Sequence, residues 1–159
     1  MEVWMTTFGR IRLTTTVIAA VALVASLAGT ARAASRSTSA SASFCSVSKH
    51  VGVEIAGLGA SLRSATASRR ATGLKKELTD IRNAGPSLKA HAPQRIKPAV
   101  NAALNFVNVA YTALSAVHWN IVALLTNPAK AVKLEAAAQG LDVRIAPLKT
   151  YYDKVCKFK

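Results

Sequence analysis

Cysteine, histidine, carboxylate and a cluster of basic side chains are the groups in this sequence with chemistry to offer, and spacing sorts them. Cys45 and Cys156 are the only cysteines and lie far apart. They form no Cys-x-x-Cys redox motif, so in an exported chain the pair reads as one structural disulfide. The three histidines are His50, His91 and His118. Tyr111 precedes His118 by seven residues on one helical stripe, a pair that could ligate haem iron. His50 and His118 would stand roughly 30 Å apart at ~1.5 Å per helical residue, too far to share a metal. The reading adopted is a buried, structural His118 with Glu135 as its partner.

Glu54, Glu77, Asp80, Glu135, Asp142 and Asp153 are scattered. Glu77 and Asp80 share a helix face, but Lys75, Lys76 and Arg82 surround them, which suits surface ion pairs better than a paired acid and base. There is no Gly-x-Ser-x-Gly, no His-Glu-x-x-His and no glycine-rich phosphate loop. No catalytic residue, metal site or cofactor is expected, and the chain reads as non-enzymatic.

The basic residues are concentrated. Arg69, Lys75, Lys76, Arg82, Lys89 and Arg95, joined by Arg63, Arg70 and Lys97, fall in a segment holding only two acids. Lys75, Arg82 and Lys89 repeat at seven, which lines one edge of a helix. Such an edge suits a polyanion: teichoic acid, lipid headgroups or nucleic acid. Equally, it is what the solvated face of a chain with net charge +14 looks like. The aromatic residues that single-strand binders interleave with their charges are missing from it.

These groups need elements to hold them. The stretch 98–129 contains 32 residues without Asp, Glu, Lys or Arg. Within it Val100, Leu104, Val107, Tyr111, Leu114, His118, Ile121 and Leu125 recur at steps of four and three, one helical stripe. So long an uncharged helix belongs at the centre of a bundle. One position past the seam, Asn101, Asn105, Asn108, Thr112 and Ser115 form a polar stripe running towards Trp119 and Val122. Either neighbouring helices cover that stripe or it is an uncharged protein–protein interface.

Around this centre the periodicity predicts a helix over 46–65, a second over 68–84 with a possible last turn to His91 beyond Gly85-Pro86, and a fourth over 128–156 kinked at Pro147. The central helix begins at Pro93 or Pro98 and ends at Thr126, before Asn127-Pro128, an N-cap followed by proline. Gly52, Gly57 and Gly59 weaken the first helix by roughly 1 kcal/mol each, unless they let a neighbour approach closely. No stretch alternates with period two.

Residues 1–33 read as a secretory signal peptide: Arg10 and Arg12, an apolar run over 13–29, then Ala31-Arg32-Ala33 as cleavage site. Its removal takes Arg10, Arg12, Arg32 and Glu2, leaving 18 basic and 6 acidic residues, net +12. Residues 34–43, rich in Ser and Ala, read as a disordered leader, and 44–159 as the folded domain. No membrane span is expected after cleavage.

The Cys before the first helix, Ala92-Pro93-Gln94-Arg95-Ile96-Lys97 opening the long helix, and Tyr151-Tyr152 before the closing Cys together resemble the small secreted or lipid-anchored helical domains of actinobacteria. The resemblance implies an exported helical bundle and carries no activity or site residue. Thr30 stands where anchored members place the lipobox Cys, which argues for release.

The expectation is therefore an all-α, antiparallel up-down-up-down four-helix bundle, closed by Cys45–Cys156 and secreted or associated with the cell envelope. In that topology the first helix starts, and the fourth finishes, at the same end. Its expected role is a binding or interaction module with an unidentified protein or anionic cell-envelope polymer as partner. The alternatives are an electrostatic polyanion binder and, in another class, a haem or small-ligand carrier with a pocket between the third and fourth helices. Oligomeric state leaves no trace in the sequence.

Overall fold

The computed structural model describes residues 39–157, which form six α-helices, a 3-10 turn and a terminal π-turn, with no strand among the described residues. The helices are α1 (Ser39–Leu62), α2 (Ala67–His91), α3 (Lys97–Ser115), α4 (Ile121–Leu125), α5 (Pro128–Ala138) and α6 (Leu141–Tyr151). The expected signal peptide, 1–33, and residues 34–38 of the expected leader lie outside the described residues. Residues 39–43, expected to be disordered, open α1 instead. None of the described helices is long and apolar enough to cross a membrane.

Several boundaries follow from local chemistry. Thr66 accepts from the Arg69 N–H at 3.3 Å and starts α2. The helix then passes through Pro86 to His91 without stopping. Pro86 is exposed, so water can meet the carbonyl group it deprives of a partner. α3 starts at Lys97 with Pro98 in its first turn, after a 3-10 turn over Gln94–Ile96. Asn127 caps α5 by accepting from the Lys130 N–H at 3.2 Å, with Pro128 next, as the sequence indicated.

Two expected helices are broken. The central one ends at Ser115 rather than Thr126. The chain reverses through His118 and Trp119 at φ of 52° and 64°, a conformation costing roughly 1–2 kcal/mol per non-glycine residue. Three contacts hold it. The Trp119 N–H reaches the Leu114 carbonyl at 2.8 Å, Trp119 packs edge-on against Tyr111 at 5.0 Å, and Lys130 Nζ donates to the Ala116 carbonyl at 2.9 Å. Asn120 then caps α4, accepting from the Ala123 N–H. The last expected helix breaks at Gly140, φ 63°, and not at Pro147, which stays inside α6. Arg144 stabilises that break by donating to the carbonyls of Ala137, Gln139 and Gly140 at the end of α5.

α3 packs against α2, α5 and α6, and more lightly against α4 and the 3-10 turn. Its buried face presents Val100, Leu104, Val107 and Leu114 to Leu74, Leu78 and Ile81 of α2 and Ile145 and Leu148 of α6 in one core cluster. At one end of that core, Cys45 and Cys156 form a disulfide with Cα atoms 5.4 Å apart. Beside it Phe44, fully buried, sits edge-on to Tyr151 at 5.6 Å and stacked on Tyr152 at 6.1 Å.

α1 and α2 make the most extensive pairing. Ser61 meets Gly73 near their turn and Glu54 meets Lys76 further from it, so the two run antiparallel. Glycine permits the approach. A Cβ on Gly57 would stand 2.6 Å from the Glu77 carboxyl carbon, and one on Gly73 would collide with Ser61. Lys76 Nζ lies 3.0 Å from Asp80, 3.2 Å from Glu54 and 3.8 Å from Glu77. Asp80 foremost, then Glu54, holds the lysine above its ordinary range. Burial, then the neighbouring Glu54, pushes Glu77 up to about 7. The hydrogen bond from Glu77 holds Glu54 below its ordinary 4.5. The two opposite shifts point to a proton shared by the two carboxyls across the interface, with Glu77 the donor.

The disulfide and the shared proton can each be tested. Replacing both cysteines with alanine opens a loop of 111 residues and should lower the unfolding free energy by about 4–5 kcal/mol by the chain-entropy argument. Urea denaturation of the two forms measures it, and an unchanged midpoint would remove the bridge from the stabilising contacts.

For Glu77, a folded-state value raised above 4.5 means the folded chain binds the extra proton. Its stabilisation is full below 4.5 and is lost as pH rises through about 7. Glu54 has the opposite sign and weakens only below 4.5. Glu77→Gln keeps the donor without the titration. The melting temperature of the parent should therefore fall relative to that of the variant as pH passes from 4.5 to about 7. Parallel curves would mean that no proton is shared.

Candidate functional site

At the end of the core away from the disulfide, the helices do not close on one another. α1 and α2 are joined by a turn there, α3 has already stopped, and the five-residue α4 follows in place of a continued α3. No aromatic cluster like that of Phe44, Tyr151 and Tyr152 fills the space. The result is a cavity of about 400 Å³. Leu58 and Leu62 of α1, Leu74 and Leu78 of α2, Phe106 and Leu114 of α3, and Leu134 of α5 line it, and α4 contributes Leu125 at one side. Every lining side chain is apolar except two, Arg63 and Arg70.

Those arginines are positioned by the turn between α1 and α2. Arg63 is exposed in the turn itself. Arg70, in the first turn of α2, is half-buried, and its Nε is buried without a hydrogen-bond partner. Neither has an ion pair with any acid among the described residues. The first turn of α2 also carries no acid, so nothing local offsets the positive end of that helix. An apolar interior with cationic groups at one side can hold an apolar group and orient an anionic one.

The six basic candidates are placed differently from one another. Lys75, Arg82 and Lys89 do occupy one continuous helix, α2. Lys75 and Lys89 are exposed. Arg82 instead donates from Nε to Asn108 Oδ1 at 3.0 Å and lies 4.0 Å over the Tyr111 ring. Lys76 is held by its three carboxylates, and Arg95 lies 5.0 Å over the Tyr151 ring. Arg69 is exposed at the start of α2. Three of the six thus have intramolecular partners.

On α3, Asn101, Asn105, Asn108 and Thr112 are exposed, so neighbouring helices do not cover the polar stripe. Trp119 is half-buried against Tyr111. The stripe ends in an Arg82–Tyr111–Trp119 stack.

His118 is a correction. It is exposed, because the reversal after Ser115 takes it off the seam. None of the three histidines lines the cavity. Glu54, Glu77 and Asp80 bring their carboxylate oxygens within 4.8 Å of one another, a spacing that could hold a metal ion. The Lys76 ammonium already meets all three, and the group acts as a lock between α1 and α2.

The share of α1 and α2 in the cavity was missed in the sequence, although one signal was there. Four residues before Leu74, Arg70 continues the buried stripe Leu74, Leu78, Ile81 and Leu88 back to the N-terminus of α2. A charged residue at a seam position marks a place where the core is not closed. No protein-family description, no curated protein and no solved structure is measurably similar to this chain.

Proposed function

We propose that this chain is an exported, non-enzymatic helical carrier that shelters the apolar part of a small ligand in the cavity between α1, α2, α3 and α5. The observation that carries the reading is the cavity itself, about 400 Å³ and walled by aliphatic and aromatic side chains. Close-packed interiors have few voids larger than a water molecule, whereas ligand pockets typically span ~300–1,000 Å³. A disulfide joining the start of α1 to the end of the folded chain supports export to an oxidising compartment. With it goes the up-down-up-down four-helix arrangement, in which α5 and α6 together form the fourth helix and α4 is a detour at the end of the third. Among the alternatives, haem is the less favoured cargo, because no histidine faces the cavity.

Calorimetric titration with a series of straight-chain compounds of eight to twelve carbons tests the proposal. Binding should saturate at one ligand per chain. It should tighten about fourfold with each methylene, the factor given by ~0.8 kcal/mol per buried CH₂, until the cavity is full. Leu62→Trp, at a half-buried lining position, should abolish binding while the helical circular dichroism and melting temperature are retained. If no chain length binds, whether its head is charged or neutral, the carrier reading is wrong.

A further inference from the structure

We infer that the ligand of this cavity is a single-chain anionic amphiphile whose carboxylate or phosphate head is held by Arg63 and Arg70. The inference rests on the carrier reading above and adds the chemistry of the head group.

Charge and desolvation single out these two residues. Of all the side chains lining the cavity only they are polar, and both are cationic. A guanidinium drawn partly out of water is costly unless a counter-charge or hydrogen-bond acceptor meets it. Arg70 Nε is buried with no acceptor from the protein, and no described acid pairs with either arginine. Several other cations have acceptors, Lys76 in three carboxylates, Arg82 in Asn108 and Arg144 in three carbonyls, and others stand in water. Arg70 Nε is buried and has neither.

Position adds to it. Arg69 and Arg70 occupy the first turn of α2, where cations oppose the helix dipole and acids would be favoured. The positive potential there is built against local helix stability. Guanidinium is the side chain best matched to the two oxygens of a carboxylate or phosphate. A carboxylate or phosphate at the mouth would place its acyl chain among Leu62, Leu74, Leu78 and Phe106.

Titration of the full mature chain with decanoate, decyl phosphate, decanol and decyltrimethylammonium separates the possibilities. Decanoate or decyl phosphate should bind at least about tenfold more tightly than decanol, as expected for a charge-assisted hydrogen bond, and the cation should bind most weakly. Which of the two anions is preferred distinguishes a fatty carboxylate from a phosphate ester. Arg70→Met and Arg63→Met should each weaken decanoate more than decanol and so reduce the anion preference. Lys133→Met and Lys149→Met, exposed and not lining the cavity, should leave the preference intact and so control for diffuse charge. Equal affinity for decanoate and decanol in the parent chain would overturn the head-group assignment while leaving the carrier reading standing. That assignment also falls if the control lysines matter as much as the arginines, or if Arg70→Met weakens decanol as much as decanoate. Failure of all four compounds to bind would overturn both.

Discussion

A helix that runs from Pro98 to Ser115 without one charged residue must be wrapped by others, because its Val, Leu and Phe side chains are worth roughly 1.5–3 kcal/mol each only when removed from water. That requirement organises the molecule. α2 lies along one side of α3, and α5 and α6 lie along the other. α1 pairs chiefly with α2, and reaches the common core through Val51 and Leu58. The wrapping is one-sided, however. The stripe of Asn101, Asn105, Asn108 and Thr112 stays in solvent, polar enough to be wet without carrying charge.

The two ends of this core solve the packing problem in opposite ways. At the disulfide end, large rings fill the space: Phe44 is gripped between Tyr151 and Tyr152, with the Arg95 guanidinium over Tyr151 on the outside. At the other end α3 stops early. Its continuation is a strained reversal at His118 and Trp119 followed by one short helix. A straight helix to Thr126 would have carried the stripe of Leu114, His118, Ile121 and Leu125 on as a seam. Breaking it swings α4 aside, so that Leu124 and Leu125 form a wall of the cavity rather than a continuation of that seam. The strain at Trp119 and the cavity are thus two consequences of one chain reversal.

Much of the helical framework could be read from spacing. The cap at Asn127-Pro128 and Gly57 of α1 as a close-approach point came from local chemistry that tertiary packing did not override, and the pairing of Cys45 with Cys156 from their being the only two cysteines; Gly52 has no neighbour close to it. The breaks were harder. Periodicity alone carried the stripe across Gly140 and across 116–120, because an apolar residue in phase looks the same on either side of a loop. What decides those breaks is a side chain capping backbone carbonyls, Arg144 at the end of α5 and Lys130 at Ala116, which hydrophobic periodicity does not announce. The prolines did not break helices: Pro147 is carried within α6 as its in-phase neighbours indicated, and Pro86 within α2, where Leu88 keeps the phase, both facing solvent. The cavity was least legible, since leucines lining a void and leucines filling a core share one pattern. Arg70 in phase with Leu74 was the one residue to betray it.

Charge placement links the lock between α1 and α2 to the cavity. The described chain has few acids, and three of them, Glu54, Glu77 and Asp80, are gathered around Lys76. Along α1 and α2 those carboxylates lie seven to ten residues from Arg70 and Arg63, on the order of 10–15 Å at ~1.5 Å per residue. The Debye length at physiological ionic strength is about 8 Å. The carboxylates therefore fasten the two helices without neutralising the arginines at their turn. Had Glu54 and Glu77 stood two helical turns closer to that turn, they would have served as counter-ions, and the cavity mouth would carry no net field. The hairpin of α1 and α2 thus keeps its anions where they hold the helices together and leaves its cations where the core is open.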